Sequence, residues 1–129
     1  MNSLIILGVW WYAAFILSIV IHEAAHALAA YKMGDDTAYE GGQVSLNPQP
    51  HIRREPLGMV VIPLVTYFLG GWMMGWASAP YDPQWAMTYP KRAALMALAG
   101  PVSNLCLVFI SGFLLRLGLW LGFFTIPYA

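Results

Sequence analysis

Apolar residues run without a charge from Leu4 to Ile21, and the pattern continues through Ala27-Leu28-Ala29-Ala30-Tyr31 until Lys32 and Gly34 supply a cationic end and a C-cap. This predicts helix 1 over 4–32, followed by a polar loop over 33–56. In that loop Gly41-Gly42 leads into Gln43-Val44-Ser45-Leu46, which alternates as a short strand or hairpin before Asn47-Pro48 and Pro50 break it. Leu57 to Trp76 is again uncharged and predicts helix 2 over 57–76, with Pro63 expected to kink it. Gly71 and Gly75 form a small-xxx-small pair suited to close helix packing, and Trp72 and Trp76 fit an interfacial belt.

An interfacial loop over 77–91, broken by Pro80, Pro83 and Pro90, precedes helix 3 over 92–116, which Gly100-Pro101 interrupts. The apolar tail 117–129 is too short for a full span. The pattern therefore describes an all-α membrane protein: a single membrane domain over 1–129, with about three transmembrane helices and one short strand or hairpin between helices 1 and 2.

Composition sharpens the environment. The chain is 60% hydrophobic and only 9% charged, where soluble domains carry about 25% charge, so the lipid bilayer is its expected partner. Net charge is zero, which argues against a nucleic-acid partner. Cys106 stands alone, so no internal disulfide forms, and its apolar setting suits packing. The N-terminus lacks a basic n-region and a small-residue cleavage site, so the first apolar run is expected to be a retained span. With three alternating spans, Lys32, Arg53, Arg54 and Arg116 fall on one side and Lys91 and Arg92 on the other. That asymmetry favours an integral membrane protein with the 33–56 loop in the cytoplasm and the N-terminus outside.

The chemistry lies in helix 1. His22-Glu23-Ala24-Ala25-His26 is an HExxH whose two imidazoles, four residues apart, share one helix face and can reach one metal ion, with Glu23 beside them. Ionisable groups at membrane depth are costly unless something coordinates or pairs them. His22 and His26 are therefore candidate zinc ligands and Glu23 a candidate general base; a structural His/Glu network is the bland alternative. Asn104, in Ala99-Gly100-Pro101-Val102-Ser103-Asn104, is the second polar group at depth. It can donate to a developing oxyanion, hold a substrate backbone, or serve as helix–helix glue.

Together, HEAAH in a membrane helix, the stretch Gly-Gly-Gln-Val-Ser-Leu-Asn-Pro-x-Pro-His, and the later Ala-Gly-Pro-x-x-Asn-Leu resemble the site-2 protease family of intramembrane zinc metalloproteases, its short bacterial members above all. The resemblance runs from about residue 15 to 115. It implies a zinc enzyme acting on transmembrane protein substrates, with His22 and His26 as ligands, Glu23 as base and Asn104 as a substrate or oxyanion contact. The segment near Gln43 to Leu46 resembles the edge along which such enzymes extend an unwound substrate.

Two motifs depart from the family's pattern. Its third ligand, an aspartate in an Asn-Pro-Asp-Gly or Leu-Asp-Gly motif on a later helix, has no counterpart in residues 1–129, and His51-Ile52-Arg53 stands where the short members read His-Ile-Asp. A third ligand is then sought in His51, Asp82, Asp35 or Asp36, in a second subunit, or in a further C-terminal part. His51 is preferred, since its loop follows helix 1 at the same membrane face and imidazole suits zinc. The alternative function is an inactive, protease-derived assembly subunit of a larger membrane complex or oligomer, motivated by the absent ligand motif and the small size.

Overall fold

The computed structural model describes residues 2–126, which form helices and no strand. In chain order they are α1 (Ser3–Lys32), α2 (Thr37–Glu40), α3 (Pro48–Arg54), α4 (Leu57–Gly70), α5 (Pro83–Thr88) and α6 (Pro90–Trp120). Asn2 caps α1 by accepting from Leu4 N, and the chain leaves its other end through Gly34 at φ 111, a conformation that favours glycine.

Two helices, α1 and α6, are long and apolar enough to cross a membrane. They lie antiparallel: His26 meets Met96, and about two turns of each helix away Ser18 meets Asn104. Only 6% of the most apolar window of each is buried among the described residues. Side chains such as Trp10 and Phe109 are about 70% exposed, a surface that requires an apolar surrounding.

Helix 2 of the sequence pattern is shorter than its charge-free run. Gly71, at φ 75, takes the left-handed C-cap and ends α4 at Gly70, so the helix spans about 21 Å against a hydrocarbon thickness of about 30 Å. Pro63 lies where a π-helical opening turn (Leu57–Val61) passes into regular α-helix. Its missing N–H frees the Met59 carbonyl, which the Tyr12 hydroxyl takes at 2.8 Å. Tyr67 donates to Leu4 O at 2.6 Å, and its ring covers Gly8 so closely that a Cβ there would collide. These contacts bind α4 to the N-terminal half of α1.

The chain then returns beside α1 as an irregular, largely unbonded segment over 72–82. Its hold comes from Glu55, whose carboxylate accepts from the Ser78 hydroxyl at 2.7 Å and Trp76 Nε1 at 3.3 Å, and from Trp76 N donating to Gly58 O at 3.1 Å. Residues of this segment from Trp76 to Tyr81 line two cavities against α1 and α6.

The expected strand at Gln43 to Leu46 does not form. Gln43 N bonds Ala38 O, Ser45 Oγ accepts from Asn47 N, and Ser45 O faces His51 Nε2, so local side-chain and turn bonds take the groups a ladder would need. The interfacial loop carries α5, capped by Asp82 accepting from Gln84 N. Helix 3 extends beyond 92–116, and Gly100-Pro101 does not break it. Of the tail 117–129, residues 127–129 lie outside the described residues.

The charge distribution also changes. Arg92 Nη1 donates to Met33 O at 3.1 Å, so α6 begins where α1 ends and Lys91 and Arg92 share that face with Lys32. Arg116 lies at the opposite end, about 37 Å along α6 from Lys91.

Asp35, buried at this junction, accepts from the Thr37 hydroxyl at 2.6 Å, from Thr37 N at 3.0 Å and from Asp82 N at 2.9 Å. Burial pushes its carboxyl up, but the Thr37 and Asp82 bonds together outweigh it and hold the carboxyl below the usual carboxylate range. A depressed folded pKa stabilises above the unfolded value of about 3.9, and that stability disappears as pH falls through the folded value. Thermal unfolding in detergent should therefore show a midpoint that falls steeply only below about pH 4. Asp35→Ala should flatten that fall and lower neutral-pH stability by about 2 kcal/mol or more.

Candidate metal centre

The HEAAH turn of α1 faces Met96 to Asn104 of α6 across the antiparallel contact. Gly100 lies opposite the two imidazoles. A Cβ on it would sit 2.6 Å from His22 Nε2 and 2.6 Å from His26 Cε1, so only glycine lets α6 pass this close.

The hydrogen-bond network assigns both imidazole tautomers. Asn104 Nδ2 lies 3.0 Å from the Ser18 carbonyl, which can only accept, so the amide oxygen is the atom that faces His22 Nδ1. An amide oxygen accepts only, and His22 Nδ1 therefore carries the proton. His26 Nδ1 donates to the Met96 carbonyl at 2.7 Å by the same logic. In the neutral rings both Nε2 atoms carry lone pairs, and they face each other 3.0 Å apart with the rings edge-on at 80°. Two unprotonated nitrogens at that distance repel unless a proton or a metal ion lies between them. For zinc bonds of about 2.0–2.1 Å, tetrahedral ligands stand about 3.3 Å apart, so the pair fits zinc with a small relaxation.

Glu23 completes the group. Its Oε1 lies 3.9 Å from His22 Nε2, the residue is 6% exposed, and the metal-binding atoms of His22, Glu23 and His26 all lie within 4.8 Å of one another. Two cavities flank the carboxylate. One, of about 430 Å³, lies on the His22 side against Phe15, Ile19 and Trp76; the other, of about 300 Å³, lies on the His26 side against Ala30, Ala79 and Tyr81. Ala77, on the return segment, lines both.

The remaining candidates lie apart from this group. His51, on α3, is wholly buried with Nε2 2.9 Å from Ser45 O, and supplies no ligand to His22 and His26. Its position in a loop predicted at the right membrane face did not bring its ring to the metal site. Asp82 caps α5 and Asp35 holds the Thr37 turn; neither they nor Asp36 join the group. Among the described residues, no further candidate ligand joins the group of His22, Glu23 and His26.

Ser18, Met96, Gly100 and Ala77 are the site residues that sequence reasoning passed over. Ser18 had a signal, since it precedes His22 by four residues and shares its face of α1. Met96 acts through its backbone and had none.

The chain is 44% identical over 103 residues to "Putative zinc metalloprotease YwhC" of Bacillus subtilis, a match covering 79% of this chain and 43% of that protein. It is 33% identical over 98 residues to "Putative zinc metalloprotease Rip2" of Mycobacterium tuberculosis, covering 76% of this chain and 36% of the relative. A Rip2 of Mycolicibacterium smegmatis is 28% identical over 117 residues, covering 91% and 42%. The chain thus spans less than half the length of the curated relatives it matches. No family model and no solved structure matches it.

Proposed function

We propose that this chain forms the metal-binding part of an intramembrane zinc metalloprotease of the site-2 type, hydrolysing peptide bonds in or near transmembrane segments of protein substrates. The carrying observation is the tautomer pattern: both Nδ1 atoms are committed to acceptor-only oxygens, so both Nε2 lone pairs converge beside a buried carboxylate. The names of the relatives support zinc and metalloprotease chemistry.

His22 and His26 would hold the zinc. When bound, zinc makes water a nucleophile at neutral pH and polarises the scissile carbonyl. Glu23, between the two cavities, is placed to take a proton from water on one side and deliver it to the leaving amine on the other. An extended substrate would lie along Ala77 to Tyr81, whose backbone lines the cavity beside Glu23; the 43–46 segment is occupied by its own turn bonds. A protein retained only for assembly has no use for a carboxylate buried there.

The five cations Lys32, Arg53, Arg54, Lys91 and Arg92 lie on the loop side, against Arg116 alone at the other end, which supports an inner-membrane protein with the 33–56 loop in the cytoplasm. Metal removal tests the function. A chelator should abolish cleavage of a model transmembrane substrate by the full-length protein in detergent, and stoichiometric zinc should restore it. Cleavage that survives exhaustive chelation would refute the proposal.

A further inference from the structure

We infer that Asn104 and Ser18 are positioning residues of the metal centre, acting together to fix the His22 ring as a ligand. The inference rests on the metal-centre reading above.

The Asn104 carboxamide is engaged at both its oxygen and its nitrogen. Its oxygen accepts the His22 Nδ1 proton, and its Nδ2 group reaches two acceptors on one residue, the Ser18 carbonyl at 3.0 Å and the Ser18 hydroxyl at 3.1 Å. The Ser18 carbonyl is also the acceptor that the α-helix assigns to the backbone N–H of His22. Asn104 therefore grips the His22 turn twice, at the imidazole and at the carbonyl beneath it.

The consequence is chemical as well as steric. Holding the proton on Nδ1 keeps Nε2 a lone-pair donor aimed at its partner on His26, and hydrogen bonds of this kind behind a ligating histidine raise its basicity and fix its rotation. His26 gets the same service from a backbone carbonyl, Met96 O, which no substitution can remove. His22 depends on a side chain. The two ligands should therefore respond differently to mutation, with His22 the one that can be loosened.

The test uses the full-length protein in detergent, with zinc affinity measured against a competing chelator and the His22 tautomer read from nitrogen-15 shifts of the imidazole. Asn104→Leu should weaken zinc binding about 10- to 100-fold and release the Nδ1 tautomer preference, while Asn104→Asp, which keeps an acceptor for Nδ1–H, should restore affinity to within about tenfold of wild type. Ser18→Ala removes a single oxygen from the helix face and should weaken zinc by about threefold with the helices intact. Wild-type zinc affinity and tautomer in Asn104→Leu, with cleavage lost, would overturn the inference and make Asn104 a substrate contact. If Asn104→Leu does not fold, an unchanged affinity and tautomer in Ser18→Ala would overturn it. Wild-type protein that binds no zinc would instead refute the metal-centre reading itself.

Discussion

Replacing Gly100 with alanine should abolish zinc binding while leaving the helices in place. Alanine raises intrinsic helix propensity by about 1 kcal/mol over glycine, so α6 has no local reason to unfold. Its methyl group would nevertheless occupy space 2.6 Å from His22 Nε2, where the two lone pairs converge. The imidazoles cannot swing clear cheaply, because each is held from behind, His22 by Asn104 and His26 by Met96 O. Zinc affinity should fall by at least about 100-fold, equivalent to about 2.7 kcal/mol, with unchanged helical circular dichroism. Retention of wild-type zinc content would show that α6 does not pass the site as closely as this packing requires.

The second large effect concerns Glu23. Glu23→Gln keeps the side-chain volume and removes the proton acceptor, so cleavage should fall by about 10²- to 10⁴-fold with zinc content unchanged. The separation follows from the geometry: the two imidazoles supply the converging lone pairs, while the carboxylate lies 3.9 Å to one side with both cavities against it. Parallel assays of bound zinc and of cleavage distinguish the two roles. Loss of zinc and activity together would make Glu23 a ligand rather than a base.

Local periodicity explains what was legible in the sequence. The His22/His26 spacing sets both rings on one face of α1 without reference to any other part of the chain, and the charge-free runs mark α1 and α6 directly. Asn104 was recognisable as a polar group at depth, but its partner was not. The pairing of Ser18, His22 and His26 with Asn104, Gly100 and Met96 depends on the antiparallel register of two helices about 70 to 86 positions apart in sequence. Such a register is a tertiary property.

The misreadings have physical causes too. Helix 2 was extended to Trp76 because hydropathy does not register a left-handed glycine, and Gly71 ends it six positions earlier, at Gly70. The 43–46 strand had the right alternation but no ladder partner, and Ser45, Asn47 and His51 satisfied one another instead. His51 was chosen as a ligand by side of the membrane and by chemistry; neither fixes which way a loop side chain turns, and it turned into the protein. The cation count was altered by the same shortening of helix 2, since a chain that returns beside α1 puts Lys91 and Arg92 on the Lys32 side.

The central claim is that His22 and His26 present two Nε2 lone pairs to one zinc ion. X-ray absorption at the zinc edge on the purified full-length protein, with metal content measured on the same sample, tests it most directly. One zinc per chain is expected, with a shell of nitrogen and oxygen at about 2.0–2.1 Å, the multiple-scattering signature of two imidazoles, and loss of that signature in His22→Ala and His26→Ala. Protein that binds no zinc, or zinc whose shell is unchanged in both variants, would contradict it.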